Sequence, residues 1–249
     1  MKTICFGGAA LLALVGPTFG QSAPPTAAEQ LAASVATVRA RTAAAETTHP
    51  QLINGPEYEN YAQRYYTIVG HQFFLTPEKH AGGVFYNGYY FDNLRLSYDV
   101  VRDQVVLPQP TSPLQFRLVN EKVGYFVIDG HRFVRLQPDS AASRVLGPGY
   151  YEVLHTGPAQ VLARRAKRIQ EQNRDQRVNA VFIVTDKLFV NKSGQYFAIS
   201  KKSAALRPFA DRSSEMQRYV QEQKLRFNRP NLEASVVRLA QYYTSLPAR

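Results

Sequence analysis

Two-residue turns between short aromatic strands restrict the fold of this chain more than any other feature. Asn87-Gly88 separates residues 84–86 from residues 89–91, and both residue types tolerate the positive φ angles of a type I′ turn. Asp129-Gly130 is a second dipeptide of this kind. Because such short loops leave no room for a crossover helix, the strands that they join run antiparallel. The sequence therefore predicts an antiparallel β-meander, either a rolled sheet or a barrel-like one.

Helical patterns follow the strand patterns near the C-terminus. Ser213 or Asp211 is placed to cap one helix, and Asn231 is placed to cap another. In the second helix apolar residues recur at helical spacing, namely Leu232, Val236, Leu239 and Tyr243. Such an apolar stripe needs a surface to cover it. The predicted fold class is therefore α+β, with C-terminal helices packed on the β-meander.

Residues 160–169 fit two kinds of secondary structure. As a strand they would pair with residues 150–155 across Gly157-Pro158, whereas Leu162, Ala166 and Ile169 also have helical spacing. We favour the strand. The polar and charged residues 171–177 that follow are expected to be a connection between strands.

The first twenty residues have the features of an export signal. Lys2 precedes an apolar run over residues 4–15, and residues 16–20 supply a helix breaker and small residues for cleavage after Gly20. The run is too short for a permanent membrane-spanning helix. Cys5 lies at the start of the run, whereas a lipoprotein needs its cysteine directly after it. We predict a signal peptide over residues 1–20, an alternative being that it stays uncleaved as an anchor.

Cleavage would leave an exported protein without cysteine and without a transmembrane helix. We expect it in the periplasm, at the periphery of the outer membrane, or outside the cell. Residues 21–50 predict an Ala-rich helical appendage, because Thr26 and Glu29 have the spacing of a capping box and apolar residues recur at helical spacing after them. Residues 60–249 predict a single β-rich domain with C-terminal helices.

The net charge is concentrated in the last third of the chain. Residues 21–159 contain 11 Lys and Arg against 12 Asp and Glu, a net charge of −1, whereas residues 160–249 contain 18 against 7, a net charge of +11. Such asymmetry suggests a surface that meets an anionic partner: anionic lipid, a glycan or an acidic protein. No nucleic acid is expected, because the protein is exported and has no recognisable reading motif. The alternative is a solvated basic surface without a partner.

One run of cations is the best candidate for an anion-binding site. It comprises Arg164, Arg165, Lys167 and Arg168, with Lys201 and Lys202 as further candidates. On a strand, Arg164 and Arg168 would share one face, and on a helix they would still be neighbours. Either geometry holds two cations close together, which requires solvent or an anion.

Motifs for catalysis or metal binding are absent from the sequence. The five histidines show no HExxH spacing, there is no GxSxG elbow, and the signal holds the only cysteine. A histidine could still meet Asp92, Asp99 or Asp103 across strands, against the simpler interpretation that these residues are structural. Asp99 and Asp103 flank a bend, where Asp usually accepts backbone N–H groups. We predict no catalytic residue, metal or cofactor.

The chain resembles an uncharacterised family of exported proteins from Gram-negative bacteria. The resemblance lies in residues 70–74 (GHQFF), 86–90 (YNGYY), 96–99 (LSYD) and 149–154 (GYYEVL), and in the tail from Ser200-Lys201-Lys202 to Tyr242-Tyr243. It covers about residues 60–246 and implies no activity. The expected function is therefore a non-enzymatic envelope protein that binds an anionic partner. The alternative is a hydrolase whose carboxylates or histidines are brought together by the fold.

Overall fold

The computed structural model describes residue 34 and residues 49–109, 112–139, 142, 145–174 and 176–247, without the side chain of residue 174. The predicted signal peptide and nearly all of the predicted Ala-rich appendage lie outside these residues. Almost all of the described residues belong to one compact unit that begins at Thr48.

The described residues form thirteen strands, most of them three to eight residues long. They are β1 (Thr67–Val69), β2 (His80–Tyr86), β3 (Tyr89–Asp99), β4 (Gln104–Pro108), β5 (Gln115–Arg117), β6 (Val123–Ile128), β7 (His131–Leu136), β8 (Gly149–His155), β9 (Ala159–Arg164), β10 (Lys167–Arg174), β11 (Arg177–Val184), β12 (Lys187–Lys192) and β13 (Gln195–Ile199). Short 3₁₀ turns precede β1 at Pro50–Leu52 and Tyr61–Arg64, and Asn120–Lys122 precedes β6.

Ten of these strands form one antiparallel sheet in the order β13-β12-β9-β8-β7-β6-β2-β3-β4-β5. Most neighbours are consecutive in the chain, which confirms the predicted antiparallel meander. The exceptions are β6, which returns to pair with β2, and β12, which pairs with β9. The barrel-like version of the prediction is wrong: β5 and β13 are the two edges of an open sheet.

The predicted two-residue turns have the backbone geometry that their sequences require. Asn87 and Gly88 have φ angles of 50° and 87°, and Tyr86 pairs directly with Tyr89. Asp129 and Gly130 repeat this geometry between β6 and β7. Positive φ at both central positions gives the twist of a type I′ hairpin, so these sequences fix the register of their strand pairs.

A second sheet has three strands in the order β1-β11-β10, with β1 parallel to β11. Only Arg165-Ala166 separates β9 of the large sheet from β10 of the small one. The strand prediction for residues 160–169 is therefore confirmed, although the segment divides between two sheets. The predicted connection over residues 171–177 is wrong, because β10 continues to Arg174 and pairs with β11 from Arg177 onward. Its polar side chains suit an edge strand with a wet face.

The C-terminal helices cover one face of the large sheet. They are α1 (Lys202–Leu206), α2 (Ser213–Glu222) and α3 (Leu232–Ser245), with a 3₁₀ turn at Arg207–Arg212 between the first two. Met216 and Val236 on the helices pack with Val161 and Val190 on the sheet, and all four are fully buried. This packing confirms the α+β class. Among the described residues, no helix is long and apolar enough to cross a membrane.

Tyrosine and phenylalanine fill the core beneath β2 to β8. The rings of Phe126 and Phe133 stack with centroids 4.8 Å apart, and Tyr98 and Tyr150 meet Phe126 edge-on. Tyr151, the neighbour of Tyr150, is also fully buried, because it packs with Leu146, Leu162 and Phe189 on the opposite face of the sheet. Both faces of β8 are therefore covered.

Candidate anion-binding surface

Arg165, in the link between β9 and β10, is the centre of a carboxylate network. Its Nε donates to Glu152 on β8, and one terminal nitrogen donates to Asp186, 3.0 Å away, in the link between β11 and β12. Both terminal nitrogens donate to Glu233 in the first turn of α3, at 2.7 and 2.9 Å. Burial lowers the pKa of Arg165, but the bonds and charges of Glu233 and Glu152 outweigh it and raise the pKa above its usual value. This guanidinium therefore joins the large sheet and the link between the two sheets to the helical layer.

Glu152 has a second partner on its other side. Its Oε1 lies 2.5 Å from Nδ1 of His131 at the start of β7, and the carboxylate side chain is only 4% exposed. A carboxylate this deep requires compensating donors. His131 and Arg165 supply them, so this histidine and carboxylate form a structural contact between neighbouring strands.

Arg164 and Lys167 hold loops to the sheets. Nζ of Lys167 donates to the carbonyls of His71 and Phe73 at 2.9 and 2.7 Å, and burial lowers the pKa of this lysine. A terminal nitrogen of Arg164 donates to the carbonyl of Pro148 at 3.2 Å. Both cations therefore have internal acceptors in addition to any external partner.

The other three residues of the predicted site are exposed. Arg168 lies on β10 in the small sheet, whereas Lys201 and Lys202 lie at the start of α1, directly after the large sheet ends at β13. The six predicted residues therefore divide into an inner group with internal partners and an outer group without salt bridges to described residues. Anion binding by these six stays a prediction.

Charge pairing in residues 160–247 leaves a surplus of exposed cations. Every described carboxylate of this segment is in a salt bridge, including Asp211 with Lys192 and Glu222 with Arg218. Ten exposed cations form no salt bridge with a described residue: Arg168, Arg177, Lys187, Lys201, Lys202, Arg207, Lys224, Arg226, Arg229 and Arg238. Seven of them lie outside the predicted site, and only the segment's charge count indicated them.

Among the carboxylates that the structure describes, Asp99 is the most deeply buried, and it has four donors. The hydroxyls of Tyr58 and Tyr61 donate to it at 2.9 and 3.2 Å, and the backbone N–H groups of Val101 and Arg102 donate at 2.9 and 3.0 Å. This confirms the expectation that an Asp at this bend accepts backbone N–H groups. Burial raises the pKa of Asp99. Both carboxylate oxygens accept hydrogen bonds from the fold, which assigns this side chain a structural role at the bend.

A hydroxyl, an imidazole and a carboxylate line up at the start of β2. Oγ1 of Thr76 lies 3.0 Å from Nε2 of His80, and Nδ1 of His80 lies 2.6 Å from Oδ2 of Asp129. The Thr76 hydroxyl also hydrogen-bonds to Glu78 and thereby lowers the pKa of that carboxyl group. A hydroxyl has one proton, so Glu78 competes with His80 for it.

The part of the chain that the structure describes holds no group of three or more His, Cys, Asp or Glu side chains placed to bind a metal ion. Comparison with protein-family models finds no match. Neither the curated proteins nor the solved structures yield a match.

Proposed function

We propose that this chain is an exported, non-enzymatic binding protein whose basic C-terminal region contacts an anionic partner. The surplus of ten exposed cations without a described salt-bridge partner carries the proposal. Unpaired surface charges of one sign repel each other and attract anions over roughly a Debye length, about 10 Å at 0.1 M salt. The N-terminal signal pattern and the resemblance to an exported family support the cellular address.

The loop between α2 and α3 concentrates these cations. Lys224, Arg226 and Arg229 are exposed within it, and the loop has no carboxylate. Its apolar residues Leu225 and Phe227 pack into the core beneath the helices, which anchors the loop. Three cations on an anchored loop form a contact surface that needs no rearrangement to meet an anion.

Co-sedimentation with vesicles of phosphatidylglycerol and phosphatidylcholine tests the proposal. At about 0.1 M salt the wild type should sediment with the vesicles, and at about 1 M salt, where the Debye length is about 3 Å, it should stay in solution. Replacing Lys224, Arg226 and Arg229 by Gln should weaken binding. The matched control replaces Arg95, Lys122 and Arg132, exposed cations before residue 160, and should bind like the wild type.

Two results would reject an anionic lipid partner. One is a wild type that stays in solution at low salt. The other is equal binding by both triple variants, which would show that the surplus cations are not the contact. A parallel run with sulfated dextran in place of vesicles extends the test to acidic glycans.

A hydrolase is the second candidate, favoured by the alignment of Thr76, His80 and Asp129. In such a site His80 would take the Thr76 proton while Oγ1 attacks an ester carbonyl, and would return it to the leaving alcohol; water would then release the acyl group. Competition from Glu78 for the same proton places this candidate second. Hydrolysis of p-nitrophenyl acetate that Thr76→Ala and His80→Gln abolish, and that Thr67→Ala on β1 leaves intact, would establish it. Equal rates in all variants would reject it.

A further inference from the structure

A groove of about 990 Å³ opens where the strands of the large sheet end. The last residues of β9 and β13 and the first residues of β12 line it, and the first turn of α3 forms one side. Its volume lies at the upper end of the range for ligand pockets, roughly 300–1,000 Å³. This is a concave site with walls from three strands and a helix.

The charges in this groove do not cancel. Asp186 and Glu233 line it, but Arg165 binds both of them. Lys187 and Arg229 also line the groove, are exposed, and form no salt bridge with a described residue. Two cations are therefore available to a ligand, while the neighbouring carboxylates are already occupied.

Apart from Ser200, the rest of the lining is apolar. Leu188 and Ile199 are buried and belong to the core beneath the helices. Val184 and Val145 also line the groove, and they are 54% and 39% exposed, so apolar surface is open to a ligand in the same concavity as the two cations. A ligand with a purely polar surface would leave these valines exposed to water, and a neutral lipid would leave the cations without a partner.

We propose that the groove binds an amphipathic anion, meaning a single carboxylate or phosphate group on an aliphatic chain. The head group lies against Lys187 and Arg229, and the chain covers Val184 and Val145. This inference rests on the proposed function and names the chemical class of the anionic partner. The shared chemistry covers both a free fatty acid and a lipid phosphate.

Calorimetric titration with dodecanoate and with dodecyl phosphate, each below its micelle concentration, tests the proposal. At least one should bind, whereas acetate, inorganic phosphate and dodecanol should bind far more weakly, because each lacks the head or the chain. Dodecanoate alone would point to a free fatty acid, and dodecyl phosphate alone to a lipid phosphate. Either result supports the groove.

Matched variants locate the site. Lys187→Gln with Arg229→Gln should weaken binding about tenfold or more, since charge-assisted bonds to the head group are lost. Arg95→Gln with Lys122→Gln removes two exposed cations that do not line the groove and do not belong to the basic C-terminal surplus, and should leave binding unchanged.

A second pair tests the apolar wall. Val184→Glu places a like charge beside the ligand and should weaken binding at least about tenfold. Val178→Glu, at an exposed valine of β11 that does not line the groove, is the control and should bind normally. Both positions are exposed, so both variants should fold, which circular dichroism verifies.

Binding of the single-chain anions and binding of the vesicles test the groove and the exposed cations separately. If neither dodecanoate nor dodecyl phosphate binds while phosphatidylglycerol vesicles still do, the groove proposal is overturned and the surface proposal stands. If the protein binds neither the vesicles nor dodecanoate and dodecyl phosphate, the groove proposal and the surface proposal are both overturned. Equal loss in the groove variants and their controls would also overturn the groove as the site.

Discussion

The two parts of this fold treat their charged groups in opposite ways. In residues 49–159, the tyrosine-rich region, Asp99 and Glu152 are buried and accept hydrogen bonds from several parts of the chain. In residues 160–247, the basic region, no described carboxylate is buried, and the side chains of Asp211 and Glu222 are 48% and 60% exposed. The buried polar groups of the first region are held by the fold, whereas the second region exposes a surplus of positive charge.

This difference has an energetic consequence. A buried acceptor that loses its donors costs about 1–3 kcal/mol for each unsatisfied group, and a buried donor that loses its acceptor costs the same. An exposed salt bridge contributes only about 0–1 kcal/mol. Substitutions should therefore destabilise the protein in the tyrosine-rich region and change ligand binding in the basic region. Arg165 and Lys167 are the exceptions, because their charges serve the interior.

Alkaline pH should produce the largest loss of stability. Burial raises the pKa values of Tyr58, Tyr61, Tyr98 and Tyr150, whereas unfolded tyrosine ionises near pH 10. Above about pH 10 the unfolded state therefore loses protons that the folded state keeps, and the free energy of unfolding falls by up to about 5 kcal/mol per pH unit for the four together. Urea unfolding at several pH values measures this slope.

Tyr58→Phe tests how much one buried tyrosine contributes to this pH dependence of the free energy of unfolding. The slope above about pH 10 should become shallower by up to about 1.4 kcal/mol per pH unit, the contribution of one tyrosine. A slope unchanged from the wild type would show that this hydroxyl is not protected from ionisation in the fold.

Asp99→Ala should strongly destabilise the protein. It leaves two tyrosine hydroxyls and two backbone N–H groups without their acceptor, and we expect a loss of about 4 kcal/mol or more in urea unfolding. Asp211→Ala, which removes an exposed carboxylate of the basic region, should cost less than about 1 kcal/mol. Equal losses would contradict the contrast between the regions.

Arg165→Gln and Arg168→Gln compare a cation that the interior uses with an exposed cation of the basic region. The first leaves the carboxylate of Glu152 buried without its cation and should cost about 3 kcal/mol. The second changes an exposed side chain without a described salt bridge and should stay within about 0.5 kcal/mol of the wild type. A stable Arg165→Gln protein would mean that the carboxylate network is dispensable.

The smallest effect is expected at the β2–β3 turn. Gly88 has a φ angle of 87°, and a Cβ there would meet no heavy atom within 4 Å, so backbone strain alone opposes a side chain. Gly88→Val should lower stability by about 1 kcal/mol or more. Thermal unfolding provides the measurement, with Tyr89→Val, an exposed strand position, as the control. An unchanged melting temperature for Gly88→Val would be incompatible with this turn.

Local sequence patterns predicted many of the strands and helices, whereas the partners of the cations in the candidate site depend on contacts between residues far apart in sequence. The Asn87-Gly88 dipeptide carries its own turn geometry, so the hairpin was predictable. The carboxylates around Arg165 lie 13, 21 and 68 residues away in sequence, and no local pattern marks them as its partners. The sequence therefore showed a surplus of charge without showing which cations the interior uses.

The division of residues 160–169 between two sheets has a similar cause. Residues on both sides of Arg165-Ala166 have strand character, and the change of sheet depends on β11 and on β1, a strand about one hundred residues earlier that completes the small sheet. The burial of both Tyr150 and Tyr151 also depends on long-range contacts, because alternation along a strand would leave one of the two side chains facing solvent. Covering both faces of β8 needs Phe189, which is distant in sequence.

The salt dependence of retention on immobilised sulfated dextran tests the central claim most directly. The slope of log retention against log salt reports how many cations contact the polyanion, with each contact contributing roughly 0.7–0.9 on nucleic acid polyanions. We predict that Lys224→Gln/Arg226→Gln/Arg229→Gln lowers this slope, whereas Arg95→Gln/Lys122→Gln/Arg132→Gln matches the wild type. Equal slopes for both triple variants, or weaker retention of the second alone, would contradict the assignment of binding to the basic region.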